Sequence, residues 1–218
     1  TTLFLVGSCP SEVIKLDLAR AAERLSVRHA GEVRILNYSG SGIETTFTQG
    51  EDACLTAMVR DLPLRTDSAP RLLVVGTLAD VVEDQFTRIF DALGFSDSVD
   101  FFPGRRADAR PAIGPSTRVL LAQPFLGDTL RALVRRGARP LPASYPLGVD
   151  GTTAWVQAAA SVFGVPASQV AEVVRPAETR GRAAVGRYRE WLAGRRVFFF
   201  PDSQLEIPLA RFLARECG

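Results

Sequence analysis

Cys9 is the side chain in this sequence with the clearest chemical potential. It follows the apolar run Leu3–Gly7 and precedes Pro10, a residue favoured at the first helical position, with Glu12 at the third. That spacing predicts Cys9 as the N-cap of a helix. A thiol there would meet unpaired N–H groups and the positive end of the helix dipole, both of which favour the thiolate. Thiolate is the form that binds a metal or attacks an electrophile. The competing reading is a cysteine packed as a small hydrophobe. No CxxC partner is present, and His29 is the sole histidine. A Ser-His-Asp triad and a multi-histidine metal site are therefore excluded within these residues, and with no histidine placed as a base a self-contained thiol enzyme is disfavoured. Cys54 sits inside an apparent helix and Cys217 near the last residue, and both read as structural. Cys9, Cys54 and Cys217 cannot make a four-sulfur site, so a single cluster ligand is the reading that suits Cys9.

A second candidate is the stretch Asn37–Thr46, whose Ser39, Gly40, Ser41 and Gly42 follow an apolar run. Two glycines one residue apart resemble a dinucleotide loop, but Thr45 stands where the third glycine belongs, and no GxxxxGK[ST] occurs. The loop is either a flexible turn or a place where small residues admit another backbone or a cluster. The acidic groups Asp80/Glu83/Asp84 and Asp202/Glu206 fall on helix first turns, where they complement the dipole.

The elements that must position these residues alternate. Short apolar runs at Leu3–Gly7, Val33–Tyr38, Leu72–Gly76, Val99–Pro103, Val119–Ala122 and Val197–Phe200 read as strands of a covered parallel sheet. Helical patterns separate them. One stripe runs through Val13, Leu16, Leu18, Ala21 and Leu25, and another through Val81, Val82, Phe86, Ile89, Phe90 and Leu93 to Gly94. Leu126–Arg136 closes at Gly137, Thr152–Phe163 closes at Gly164, and Ala177–Leu192 and Gln204–Glu216 complete the set. Leu62–Pro70 and Arg105–Pro115 read as loops. Strand-helix alternation predicts a doubly wound α/β fold with right-handed crossovers. The turns after Val6 and Val75 share an apolar–Gly–Ser/Thr pattern, with a looser echo at Phe199–Ser203. Such turns mark the carboxyl edge of a sheet, where ligands bind.

The 218 residues are 46% hydrophobic and 23% charged, which excludes disordered, collagenous and coiled-coil classes. A net charge of +2 and scattered arginines (Arg105-Arg106, Arg131/Arg135/Arg136, Arg180/Arg182/Arg187/Arg189) point to solvated faces and away from nucleic acid. No apolar stretch is long enough for a membrane span. The sparse cysteines suit a bacterial cytoplasm. The chain opens on Thr1 with its one methionine at Met58, and it stops after a helix where another strand is expected. The expectation is a fragment cut at both ends.

The strings Phe4–Ile14 and Leu36–Asp52, then Leu73–Gly76 with Val81–Phe86, Pro146–Gly148 with Gly151–Trp155, and Phe198–Glu206, resemble the N subunits of light-independent protochlorophyllide reductases. Those belong with nitrogenase component 1, so the resemblance implies Rossmann-like three-layer units with mainly parallel sheets. It divides the chain into residues 1–66, the remnant of a first unit carrying Cys9, residues 67–193, a second unit, and residues 194–218, the first strand and helix of a third. It implies a heterotetramer with a B subunit and a [4Fe-4S] cluster held by three N-subunit cysteines and a B-subunit aspartate. Cys9 matches the third of those cysteines. It also implies an L-type iron–sulfur ATPase reductase that spends ATP and delivers electrons, with protochlorophyllide reduced at its D ring to chlorophyllide. Under that resemblance the Ser39–Gly42 loop lies near the cluster or a subunit interface. The alternatives are a chlorophyllide reductase or related nitrogenase-like subunit, and, in another class, a small-molecule-binding α/β module.

Overall fold

The computed structural model describes residues 2–38, 45–106, 108–200 and 203–218. The elements in order are β1 (Thr2–Val6), α1 (Cys9–Val13), α2 (Leu18–Arg28), β2 (Arg34–Tyr38), α3 (Phe47–Val59), β3 (Arg71–Val75), α4 (Asp80–Ala92), β4 (Val99–Phe102), β5 (Thr117–Leu121), α5 (Gly127–Arg135), β6 (Arg139–Pro140), α6 (Gly148–Ser161), α7 (Ala167–Leu192) and α8 (Glu206–Phe212). A π-type turn, Leu213–Cys217, continues α8. β1 and β2 pair in parallel, with Val6 opposite Tyr38. The other strands form a second parallel sheet in the order β4-β3-β5-β6. The predicted α/β class with parallel sheets is what the chain adopts.

Alternation along the central strands builds the layers, because successive side chains leave a strand on opposite faces. Leu72, Val74 and Leu120 pack with Phe86, Phe90, Trp155, Val156 and Val170, from α4, α6 and α7. Leu73, Val75 and Val119 pack with Leu55, Val59, Ile113 and Leu133, drawing α3 and α5 onto the other face. Each fully buried side chain of this kind stabilises by about 1.5–3 kcal/mol. α3 thus shares one core with β3 and β5. The segments Leu62–Pro70 and Arg105–Pro115 also come together, through an isolated parallel bridge between Leu64 and Ile113.

Several expectations from periodicity are corrected. Val197–Phe200 forms no strand: a strand exists only through a ladder with a neighbour, and Phe198 and Phe200 stand 83% and 84% exposed. The stripe from Val13 to Leu25 is broken, since Lys15 takes a φ of 52° and Asp17 restarts the chain as the cap of α2, accepting from the Arg20 N–H at 2.9 Å. Val13 and Leu16 are consequently exposed. Leu3 and Val6 on β1 are also exposed, unlike the covered central strands. α6 begins four residues before Thr152, at Gly148, and α7 begins at Ala167 and runs 26 residues with Pro176 inside it. Packing of Val170 and Val174 into the core outweighs the backbone bond that Pro176 forfeits. α8 starts at Glu206, two residues later than the pattern suggested. In α4, Val81 and Val82 face out and the buried first-turn residue is Glu83.

Candidate functional site

Cys9 lies one step further into its helix than expected. Ser8 is the N-cap of α1 and Cys9 the first helical residue, with Pro10 second and Ser11 third. The Ser8 N–H donates to Ser11 Oγ at 2.7 Å, and the Ser11 hydroxyl returns a bond to the Ser8 carbonyl at 2.7 Å. Serine wins the cap because its short side chain and the serine three residues on can satisfy backbone groups reciprocally, which a thiol does poorly. Gly7 is buried beneath this turn, where a Cβ would stand 3.1 Å from a Glu12 carboxylate oxygen. Its N–H reaches the Tyr38 carbonyl at 3.3 Å, which ties the turn to the end of β2. The result is a rigid turn at the carboxyl edge of the β1–β2 sheet that holds Cys9 exposed.

The other thiols behave differently. Cys54 is half-buried on α3, and burial, with Glu51 adding to it, pushes its pKa up. Cys217 is 2% exposed, and burial again raises its pKa, with Glu216 acting in the same direction. Among the described residues no group of three or more His, Cys, Asp or Glu side chains is arranged to hold a metal ion. The donor set therefore does not fit a complete cubane. Cys9 can supply one soft donor to a site completed by other chains or residues. The candidates Ser39, Gly40, Ser41 and Gly42 lie outside the described residues, as does Asp202.

The carboxyl edge of the four-stranded sheet carries a second polar group. The strand order reverses between β3 and β5, the topological switch point at which doubly wound folds open a ligand crevice. Here polar side chains meet at that edge. Gly76 has a φ of +151°, and a Cβ on it would meet Gln123 Oε1 at 2.9 Å. The Gln123 carboxamide accepts from the Thr77 N–H at 3.1 Å, while the Thr77 hydroxyl donates to Glu51 of α3. Gly50, beside Glu51, lies against the Tyr38 hydroxyl, 2.8 Å from where its Cβ would be. Sequence reasoning assigned no role to Glu51 or Gln123, because their pairing with Thr77 spans 26 and 46 residues. Only the β3-to-α4 turn was legible.

The acidic first turn of α4 does more than complement the dipole. Arg105 donates to Glu83 at 2.6 Å, to Asp84 at 2.6 Å and to the Asp80 carbonyl at 2.8 Å. Glu83 is 5% exposed, and its bond and that to Asp84 raise the Arg105 pKa further. This clip anchors the 105–115 loop. A separate apolar groove of 370 Å³ lies between α4, α6 and α7, lined by residues that include Ile89, Val149, Val156, Val174 and Phe212. It does not include Cys9.

The profile of the nitrogenase component 1 type oxidoreductases matches residues 1–218. The chain belongs to that family. Among solved structures, one titled "Nitrogenase Cp1 at pH 6.5" superposes with a TM-score of 0.72 at 16% identity, covering 99% of this chain and 52% of that one, and shares its fold. A Bradyrhizobium relative (strain ORS 278) named light-independent protochlorophyllide reductase subunit N is 66% identical over 217 residues, 99% of this chain and 51% of its own length. Relatives of the same name from Rhodopseudomonas palustris (strain TIE-1) and Halorhodospira halophila are 64% and 60% identical, over 98% and 100% of this chain. The chain spans about half the length of these curated relatives. No helix among the described residues is long and apolar enough to cross a membrane.

Proposed function

We propose that the chain is part of the N subunit of a light-independent protochlorophyllide reductase, and that Cys9 is one ligand of a [4Fe-4S] cluster completed by other residues of the subunit and its partner. The observation that carries this reading is the 60–66% identity, across almost the whole chain, to proteins of that name. The position of Cys9 supports it. A ligand shared between chains must be exposed on the isolated one, and a turn locked by the Ser8–Ser11 bonds and Pro10 holds the thiol in a fixed direction at low entropic cost. Serine at that position would keep the turn and lose the soft donor.

In this reading the partners are a B subunit, in a heterotetramer, and an L-type iron–sulfur ATPase reductase, with protochlorophyllide as substrate and chlorophyllide as product. The test is Cys9→Ser in the complete subunit assembled with its partners. Iron content and the EPR signal of the cluster should fall well below the unsubstituted complex, and turnover with them. Unchanged iron, signal and rate would sink the assignment. Turnover of protochlorophyllide against chlorophyllide by the unsubstituted complex separates this activity from that of a chlorophyllide reductase. Residues 1–218 alone are expected to retain no stoichiometric cluster, since Cys9 is one donor where several are needed.

A further inference from the structure

Two helices of the four-stranded sheet begin in the same unusual way. α5 and α6 each have a leucine at the N-cap, Leu126 and Leu147, and a glycine at the first helical position, Gly127 and Gly148. Leucine offers no acceptor, so the second and third N–H groups of each helix should be orphaned. They are not. A carboxylate from a distant part of the chain fills each. Asp52 of α3 accepts from the Asp128 N–H at 2.8 Å with one oxygen and from the Thr129 N–H at 2.8 Å with the other. Glu216, in the π-type turn, accepts from the Val149 N–H at 2.8 Å and the Asp150 N–H at 3.0 Å, again one oxygen apiece.

Each socket has a second feature that fits it to its occupant. The Thr129 hydroxyl donates to the Asp52 backbone carbonyl at 3.1 Å, so the helix grips both the side chain and the main chain of the same residue. Asp52 is 7% exposed. Gly148 has a φ of +72°, and a Cβ there would collide with Glu216 and Phe212, so the glycine opens the space that the carboxylate enters. An Asp in the middle of α3 is a poor local choice, and the π-type turn that carries Glu216 is a rare one. Their partners lie at the carboxyl edge, 76 and 67 residues away for the first contact of each.

We propose that Asp52 and Glu216 are positioning residues: internal anions that plug the N-termini of α5 and α6 and thereby dock α3 and the C-terminal helical segment at the carboxyl edge of the four-stranded sheet. α3 follows β2 and lies against Tyr38, which stands opposite Val6 in the sheet that leads to Cys9. Asp52 therefore also sets where the Cys9 turn sits relative to the larger sheet. A corollary is that neither helix start is available to a phosphate or nucleotide, the usual ligand of such termini.

Anion rescue in the full 218-residue chain tests this. Asp52→Ala and Glu216→Ala should each speed hydrogen exchange of the two amides they release, roughly tenfold to a hundredfold, with the β3 and β5 amides unchanged. Formate should restore protection in each variant when compared with chloride at equal ionic strength, and leave the unsubstituted chain unaltered. Unchanged exchange, equal acceleration in β3 and β5, or no difference between formate and chloride would overturn the proposal. If an alanine variant fails to fold, Asp52→Asn and Glu216→Gln keep the shape and remove the charge, and the same amides must exchange faster. Cys9→Ser should leave these amides untouched, so failure here and failure of the cluster reading are separable.

Discussion

Trp155 donates its indole N–H to the Leu121 carbonyl at 2.8 Å, at the point where β5 ends and the chain turns toward Gln123. The ring is fully buried and stands 4.5 Å from Phe86, centroid to centroid. Trp155→Phe keeps most of the packing and strands the carbonyl. It should cost about 1–3 kcal/mol in urea unfolding. Trp191, the other tryptophan, is 71% exposed, and Trp191→Phe should change the midpoint by less than about 0.5 kcal/mol.

The three thiols should separate by reactivity. An aromatic disulfide reagent should modify Cys9 quickly in the native chain, and Cys217 only as the chain opens, with Cys54 between them. Cys9→Ser should abolish the fast phase alone. Burial raises the Cys217 and Cys54 pKa above the ordinary 9.0, so the unfolded chain loses these protons first. Their contribution to stability is complete below pH 9.0 and is lost as pH rises through the folded values. Replacing Cys217 with Ala should flatten that alkaline decline, as read by denaturant titration above pH 9.0.

Gly148 and Gly164 both have left-handed φ, +72° and +69°, yet only Gly148 has atoms where a Cβ would go. Gly164→Ala should cost about 1–2 kcal/mol from backbone conformation alone. Gly148→Ala should cost more, and the excess should appear as proteolysis or exchange within residues 203–218, because the new methyl group displaces Glu216 and Phe212.

Arg71 at the start of β3 grips Asp100 on β4 with the Nε–Nη2 edge of its guanidinium, at 2.6 and 2.8 Å, and donates from Nη1 to the Asp97 carbonyl at 2.6 Å. The hydrogen bond to Asp100 is the main cause of a raised Arg71 pKa. Asp100→Asn should destabilise by about 1 kcal/mol after solvent screening, and the loss should shrink in high salt. Arg71→Lys should not substitute for arginine, because an ammonium cannot form the paired geometry.

Much of this protein was legible along the chain. The strand runs ending near Gly7, Gly76 and Ala122 and the helices closing at Gly94, Gly137 and Gly164 all follow from local period, caps and glycine. Those signals are short-range physics, carried by residues within about one helical turn of one another. The misplaced elements were those whose fate depends on a neighbour. Val197–Phe200 has the composition of a strand and no ladder, while the α2 stripe yielded to the Asp17 cap.

The sequence by itself determined the α/β class, the parallel strands and the place of Cys9 at a strand-to-helix turn, because apolar periodicity and turn residues encode these locally. Tertiary structure alone decided that Gln123 and Glu51 meet at Thr77 beside the switch point, that Arg105 clips the buried Glu83, and that Asp52 and Glu216 fill two leucine-capped helices. Each of those joins groups far apart in the chain. A carboxylate next to an orphan N–H gains its energy only after the chain has folded the two together, so no local pattern can announce it.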